Sequence, residues 1–480
     1  MDDRLALWMP HLTGFGFAFA LGACVGSFIN VVAYRMPLGM SVINPPSRCP
    51  TCGRRLRLHE NIPILGWAFA RGRCSTCRVS ISLQYPGIEL LVALMFAATY
   101  WMSFVAEPSG WWGRSWAQWF QHYGLVATLP GLVAVLTLLS CLVASTLTDV
   151  RTFTIPLGVT LTATVTGVAA WALQGALATE VMAATWPLPS VSWWVAGASL
   201  GGGVAVLGAN ALLHTGSLTR SFADYGEFVK DGETLAEYPH ARREMEHEVI
   251  LLGGIIVAAL VGALSLGGVQ GIPPPVMQGL CAPVFGYMIG AGTVWVVRIV
   301  ATWIKGVEAM GMGDVHLLGA AGACLGWIDP LAAFFIAPFS GLAWVGAAGV
   351  VKLASGKPLR RELPYGPHLA VAVVALVLCR GAFVDVGRLV FPGVIPAVRA
   401  LQTPPRSGEM GALSERPEGQ HTSEKGFSNE EDMDRRWMRS RRNTLDGLRQ
   451  WGTEAKRDTP ERERNAQDAT RAGAGRSRSG

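Results

Sequence analysis

The sequence predicts an all-α fold, in which a polytopic bundle of membrane helices carries a small zinc-knuckle lobe on its cytoplasmic side. Two observations predict the bundle. Half of the 480 residues are hydrophobic and only 15% are charged, and apolar runs long enough to cross a bilayer as helices recur along the chain. A third observation predicts the lobe, since two Cys-x-x-Cys pairs lie in the polar segment between the first two apolar runs.

Ten apolar runs define the candidate spans, and two of them leave the number of crossings open. The run at 315–329 is short and the run at 249–269 is rich in glycine, so we expect eight to ten crossings. No small-residue cleavage site ends the first run, which we therefore interpret as a retained span and not as a signal peptide. The runs lie at about 12–34, 86–105, 125–147, 155–178, 191–213, 249–269, 279–301, 315–329, 331–351 and 366–383.

The basic residues predict how the bundle is oriented. The segment 35–84 holds eight arginines and a single acidic residue, Glu60, so the positive-inside rule places it in the cytoplasm. Counting spans forward then places Asp149 on the cytoplasmic side, and with ten spans Asp314 as well. The net charge of +6 mostly reflects this bias, and we expect no nucleic-acid partner.

The stretch 106–124 falls on the outer side in this topology. It is rich in tryptophan, which concentrates at membrane interfaces. We therefore predict an aromatic belt formed by Trp111, Trp112, Trp116 and Trp119.

Composition divides the chain into three parts. Residues 1–105 form two spans around the lobe at 35–85, and residues 125–383 form the membrane body, which contains a polar insertion at 214–248 whose second half has helical character. Residues 403–480 carry 16 Lys/Arg and 14 Asp/Glu with scarcely any apolar run. Such a tail cannot bury enough apolar surface to offset its ordering entropy, so we predict that it is disordered.

Four cysteines have the spacing of a structural zinc site. Cys49 and Cys52 form one Cys-x-x-Cys pair, and Cys74 and Cys77 form a second pair 21 residues later. Two disulfides or free thiols are the alternatives, and a cytoplasmic location argues against disulfides. Four protein ligands would fill the metal's coordination, which suits a structural role. The other five cysteines lie in apolar runs and are expected to be small buried hydrophobic residues.

Two aspartates, Asp149 and Asp314, stand where apolar runs meet polar stretches. A carboxylate at that depth is costly to desolvate, and two that come together share a proton and titrate as a unit. Such a pair can activate water, so the pattern predicts an aspartyl protease within the membrane. The glycines of Gly311-Met312-Gly313-Asp314 would permit the close approach that this requires. Taken singly, each aspartate could instead be a helix cap or an interfacial ion pair, with Arg151 as the partner of Asp149.

Ordered segments across residues 17–370 resemble the type IV prepilin peptidases, which are Gly-x-Gly-Asp membrane proteases of pilus and type II secretion systems. The matching segments are GSFINVVAYRMP at 26–37, SRCPTC at 47–52, HENIP at 59–63, RGRC at 71–74, YPGIELL at 85–91, LTDVRTFTIP at 147–156, EAMGMGDVHL at 308–317 and PYGPHL at 364–369.

The resemblance implies a bifunctional enzyme of the cell inner membrane. It would cleave the basic leader of prepilins or pseudopilins at the cytoplasmic face and then methylate the new N-terminal residue with S-adenosylmethionine. Asp149 and Asp314 would be the catalytic pair, and the four lobe cysteines would hold zinc. Asn30 and Arg35 are our candidates for binding the methyl donor, and helix packing is the alternative for Asn30.

The chain departs from the family pattern at two positions. Leu157 replaces the usual acidic residue after the first aspartate segment, and His316 replaces a frequent lysine after the second. Three other functions stay open: a peptidase without methylation, a proton-coupled transporter, and a non-enzymatic membrane assembly protein. A transporter would favour inverted repeats, which the sequence does not show, and it would leave the cysteine cluster unexplained.

Overall fold

Helices account for nearly all the regular structure in a computed structural model that describes residues 3–107, 116–218, 221–222, 240–355 and 364–390. The helices of the N-terminal part are α1 (Asp3–Arg35), α2 (Leu65–Phe69) and α3 (Gln84–Phe104). Those of the body are α4 (Trp116–Thr152), α5 (Leu157–Leu177), α6 (Glu180–Thr185), α7 (Trp193–His214), α8 (Ala241–Leu266), α9 (Pro275–Lys305), α10 (Met312–Leu325), α11 (Ile328–Ser355), α12 (Tyr365–Leu378) and α13 (Arg380–Val390).

The predicted membrane bundle is confirmed. Among the described residues, eight helices are long and apolar enough to cross a bilayer, namely Trp8–Leu38, Gln84–Phe104, Trp116–Thr152, Leu157–Leu177, Trp193–His214, Ala241–Leu266, Pro275–Lys305 and Ile328–Val350. The glycine-rich run is among them, as α8, and this helix begins inside the polar insertion as predicted. The short run forms α10, which has 14 residues and is too short to span a bilayer by itself.

Within the described ranges, the part between α1 and α3 contains no strand. Its regular structure consists of two 3-10 turns, Met36–Leu38 and Leu58–Asn61, the short helix α2, and two isolated β-bridges, Arg48 with Arg55 and Arg73 with Ser80. Its backbone hydrogen bonds are mostly short-range bonds within turns, such as those from Gly53 N–H to the Cys49 carbonyl and from Arg78 N–H to the Cys74 carbonyl. A bound metal is the usual remedy for a small lobe of this kind.

Helix α10 is the most enclosed helix of the bundle. It packs against α5, α9, α11 and α12, and every residue from Leu317 to Leu325 is buried. Gly286 of α9 and Gly322 of α10 face each other so closely that a Cβ on either would meet the other's carbonyl oxygen. Small residues allow such close backbone packing where lipid provides no hydrophobic driving force between helices.

The prediction of an interfacial belt is wrong for Trp119. This residue is 2% exposed, because α4 begins at Trp116 and continues through a kink at Gly124 (φ 77°) instead of starting near 125. The Trp119 ring packs on Phe120 and Trp171 in the core of the bundle. Trp111, Trp112, the tail 403–480 and residues 223–239 of the insertion lie outside the described residues.

Candidate functional site

Asp149 lies in the last turn of α4 and is 6% exposed. It is neither a helix cap nor the partner of Arg151, because the Arg151 guanidinium instead donates to Gln84 Oε1 at 2.8 Å. This contact joins the end of α4 to the first residue of α3. Asp149 therefore lies at the end of the bundle that also carries the cysteine lobe.

Asp314 lies in the first turn of α10 and is 8% exposed. Gly311 is the N-cap of that helix, so Asp314 does not have the capping position either. Its carboxylate interacts electrostatically with Asp149 and with Arg298. Among the described residues, no group donates a hydrogen bond to the buried Asp314 Oδ1, which leaves one carboxylate oxygen available to a water or a substrate.

The segment 364–367 supplies a third element of this site. Gly366 is the second residue of α12, and its backbone N–H donates to the Asp149 carboxylate. The first N–H groups of a helix have no partner within the helix, so a carboxylate at this position satisfies one of them. The segment 364–369 is one of those that carry the family resemblance in the sequence, but the sequence did not assign a role to Gly366.

Ile155 fills the space between the three elements. A Cβ on Gly313 would lie 2.7 Å from Ile155 Cβ, and a Cβ on Gly366 would lie 3.0 Å from Ile155 Cδ1. The carboxylates are thus bordered by an apolar side chain that helps to exclude bulk water.

Two side chains occupy the positions that depart from the family pattern: that of Leu157 is largely exposed, and that of His316 contacts α9. The Leu157 side chain is 49% exposed at the start of α5. His316 Nδ1 lies 2.9 Å from the Tyr287 hydroxyl, so this ring contacts α9. Neither substitution introduces a charge beside Asp149 or Asp314.

The four lobe cysteines converge on one point. Their Sγ atoms all lie within 4.8 Å of one another, with 3.7 Å between Cys49 and Cys77 and 4.0 Å between Cys52 and Cys74. None of the four forms a disulfide. Tetrahedral zinc with Zn–S bonds near 2.3 Å holds its sulfurs about 3.8 Å apart, so the cluster fits zinc and not disulfide bonds.

Backbone geometry makes the two Cys-x-x-Cys pairs equivalent. Cys49 N–H donates to the Arg54 carbonyl and Cys74 N–H donates to the Val79 carbonyl, each at 2.9 Å. The residue after each second cysteine, Gly53 or Arg78, has a positive φ of 67° or 59°. Backbone N–H groups of Cys77 and Thr76 lower the pKa of the Cys74 thiol to about 6, which favours the thiolate that a metal requires.

Glu60 links the two knuckles from outside the cluster. Its carboxylate accepts from Arg54 Nη2 at 2.8 Å and from Ser75 Oγ at 2.6 Å, and it also accepts from the Arg57 backbone N–H at 2.8 Å. The Arg54 hydrogen bond is the main cause that lowers the pKa of Glu60 to about 2. Sequence analysis gave this residue no role, although it is the only acidic residue among eight arginines in the lobe.

The two predicted methyl-donor residues lie in different surroundings. Asn30 is buried, and its Nδ2 donates to the Gly26 and Tyr85 carbonyls at 3.3 and 3.2 Å, which favours the alternative of packing between α1 and α3. Arg35 borders a cleft of about 240 Å³ between the end of α1 and the lobe. Arg55 and Arg57 also border it, together with apolar side chains such as Phe28 and Val31.

Known proteins match this chain in two ways. A family model described as the bacterial peptidase A24 N-terminal domain matches residues 20–103. Proteins named prepilin leader peptidase/N-methyltransferase match too: that of Myxococcus xanthus is 55% identical over 82 residues, which are 17% of this chain and 24% of that protein. That of Stutzerimonas stutzeri is 36% identical over 107 residues, or 18% and 37% of the two chains.

A third relative matches over most of both chains. The prepilin leader peptidase/N-methyltransferase of Pectobacterium carotovorum is 25% identical over 394 residues, which are 76% of this chain and 94% of that protein. The chain thus covers much less than two thirds of the first two relatives and nearly all of the third. No solved structure matches the chain.

Proposed function

We propose that this chain is a member of the prepilin leader peptidase/N-methyltransferase family and that it removes the basic leader of type IV prepilins or pseudopilins at the cytoplasmic face of the inner membrane. The observation that carries this proposal is the arrangement of Asp149 and Asp314. Both are buried, they interact electrostatically, and they lie at the ends of helices that the sequence keeps far apart.

In this function the two aspartates share the proton work of hydrolysis. The ionised carboxylate takes a proton from water while the water oxygen attacks the scissile carbonyl carbon. The protonated carboxyl group donates its proton to the carbonyl oxygen. Collapse of the tetrahedral intermediate breaks the C–N bond, and the leaving amine takes up a proton. The Gly366 N–H donates to Asp149 and so helps to hold this carboxylate in place.

The depth of the aspartates suits such a substrate. A prepilin has a basic leader followed by an apolar helix, so the helix enters the bilayer while the leader stays in water. The bond between them then lies at the interface, where α4 ends and α10 begins. The unpartnered Oδ1 of Asp314 is the atom that would face the water or the peptide.

The segment 1–105 would carry the second activity, methylation of the new N-terminal amine. When bound, S-adenosylmethionine would supply a methyl group by cleavage of its sulfonium C–S bond, and the amine nitrogen that gains the methyl group would release a proton to water. Arg35, beside Arg55 and Arg57 in the cleft, has the charge to bind the donor's carboxylate. Asn30 remains a candidate because it lies on α1 five residues before Arg35, although its side-chain amide hydrogens bond to the Gly26 and Tyr85 carbonyls.

Zinc would be structural in this protein. Cys49, Cys52, Cys74 and Cys77 would hold it with all four ligand positions filled. The metal would keep the cleft next to α1 in shape without touching the substrate.

The test is leader cleavage by the purified full chain in detergent or lipid, followed by mass spectrometry of the product. We expect loss of the leader and, with methyl donor present, a gain of one methyl group on the new N-terminus. Asp149→Asn and Asp314→Asn should each abolish cleavage. Normal cleavage by either variant would refute the aspartyl mechanism, and cleavage with no methylation by the wild type would leave a peptidase alone.

A further inference from the structure

Arg298 is a charged residue in the C-terminal third of the apolar helix α9, and it has no exposed surface. An arginine at such a position is costly to bury and persists only with partners that compensate its charge. Its contacts therefore indicate what the charge is for. Its hydrogen bonds lead to two different elements, and its guanidinium also lies over the Phe222 ring, 5.4 Å from the ring centroid.

The first partner is Glu248 on α8. Arg298 Nη2 lies 3.2 Å from Glu248 Oε1, and Nε lies 3.3 Å from Oε2, so the guanidinium meets the carboxylate with two nitrogens. Trp295 Nε1 adds a bond to Glu248 Oε2 at 2.8 Å. Glu248 is 4% exposed and belongs to the end of the polar insertion, for which the sequence suggested no role.

The second partner is the connection between α9 and α10. Arg298 Nη1 donates to Glu308 Oε1 and to the Met310 carbonyl. Thr302 Oγ1 adds a bond from the Ala309 N–H at 3.1 Å. This connection leads directly to Gly311 and the first turn of α10, where Asp314 lies.

We propose that Arg298 is a positioning residue for the peptidase site, a role that rests on the proposed function. With Glu248 it forms a buried clamp that fixes the connection 306–311 and, through it, the location of Asp314 relative to Asp149. Arg298 interacts electrostatically with Asp314 but makes no hydrogen bond to it among the described contacts, so the positioning role is exerted through the connection. The planar guanidinium can bind Glu248 on one side and Glu308 with the Met310 carbonyl on the other, which an ammonium group does less well.

The experiment compares two buried ion pairs in the full-length protein. Arg298→Met with Glu248→Gln removes both charges of the buried pair, while Glu308, which is 33% exposed, can turn toward water. Arg380→Met with Asp329→Asn does the same to the pair Arg380–Asp329, whose atoms lie 2.7 Å apart. Asp329 follows the far end of α10, about 20 Å from Asp314 along the helix axis, which makes this pair a matched control.

We expect the clamp variant to lose about a hundredfold in kcat for prepilin cleavage with KM changed by less than about threefold, because a small displacement of a catalytic group costs rate and not binding. Metal content and the yield of folded protein should match those of the control variant, which should keep its kcat. Arg298→Lys should recover part of the loss.

A wild-type kcat in the clamp variant, or an equal loss in both variants, would overturn the positioning role. Where the clamp variant does not fold, Glu308→Gln decides, because Glu308 is 33% exposed and the change keeps its shape. We expect about a tenfold loss of kcat from this change, and an unchanged value would overturn the proposal. Absence of cleavage by the wild type would instead refute the proposed function.

Discussion

The backbone N–H of Gly366 donates a hydrogen bond to the Asp149 carboxylate, and the two residues are so close that a Cβ on Gly366 would lie 2.6 Å from Asp149 Oδ2. The first turn of α12 thus lies directly against the end of α4. Pro364 and Pro367 flank the contact and have no N–H of their own. Within the segment 364–367, only Tyr365 and Gly366 therefore have a backbone N–H that can donate a hydrogen bond to the site.

Gly366→Ala should abolish most leader cleavage. The new methyl group would overlap Asp149 Oδ2 and would push the carboxylate or α12 away, so we expect kcat to fall about a hundredfold. Gly346→Ala is the matched control, because a Cβ there meets nothing within 4 Å. Steady-state cleavage of a prepilin measures both variants. Equal activity of the two would show that the site tolerates the displacement.

The two glycines of the Gly-x-Gly-Asp motif should respond differently to alanine. A Cβ on Gly313 would lie 2.7 Å from Ile155 Cβ, whereas a Cβ on Gly311 would meet only the Gly313 nitrogen, at 3.8 Å. Gly311 also has an ordinary φ of −72°. We therefore expect Gly313→Ala to lose about a hundredfold in cleavage rate and Gly311→Ala to stay close to wild type.

The same cleavage assay separates these variants, and the yield of folded protein in detergent controls for stability. Loss of activity in Gly311→Ala alone would contradict the steric argument. It would mean that the connection needs the flexibility of Gly311 during turnover and not the space that Gly313 leaves for Ile155.

Hydropathy and spacing predict much of this fold. Eight of the ten apolar runs form helices of the described chain that are long enough to cross a bilayer, because that length of apolar sequence can be read locally. The runs at 315–329 and 366–383 instead form the 14-residue helices α10 and α12, and the second of these runs extends into α13. Trp119 is the instructive failure. A tryptophan in a tryptophan-rich stretch is typical of a membrane interface. Helix α4, however, starts before the apolar run at 125–147 and places the Trp119 ring in the core, which no local pattern reveals.

The site was only partly predictable for a related reason. Asp149, Asp314 and the four cysteines stand out because carboxylates in apolar sequence and paired thiols are rare. Gly366, Ile155 and Glu60 act through contacts between segments that are distant in the sequence, so their roles depend on packing. Arg298 did give a local signal, since a lone charge inside an apolar run marks a functional position.

Glu60→Gln should weaken metal binding by the lobe. The change removes the charge that Arg54 and Ser75 contact, and loss of such support around ligands typically costs about tenfold to a hundredfold in metal affinity. Glu180→Gln, on an exposed helix start in the body, is the control. Competition with a chromogenic zinc chelator measures the affinity. An unchanged affinity would show that the knuckles hold their geometry without Glu60.

Removing the metal should affect methylation much more than leader cleavage. Cys52→Ser with Cys77→Ser takes away one ligand from each knuckle, so we expect the zinc content to fall from one ion per chain to less than about a tenth of that. The lobe has little other secondary structure to replace it. Methylation should therefore be lost.

Leader cleavage should fall much less in the same variant, because Asp149 and Asp314 lie on α4 and α10 and the lobe touches this region through contacts such as Arg151 with Gln84. Cys24→Ser, a lone thiol on α1, is the control and should change neither activity nor metal content. Metal analysis together with mass spectrometry of the cleaved N-terminus gives all three quantities from one preparation. Retained zinc in the double variant would refute the four-cysteine site, and parallel loss of both activities would show that the lobe also maintains the peptidase site.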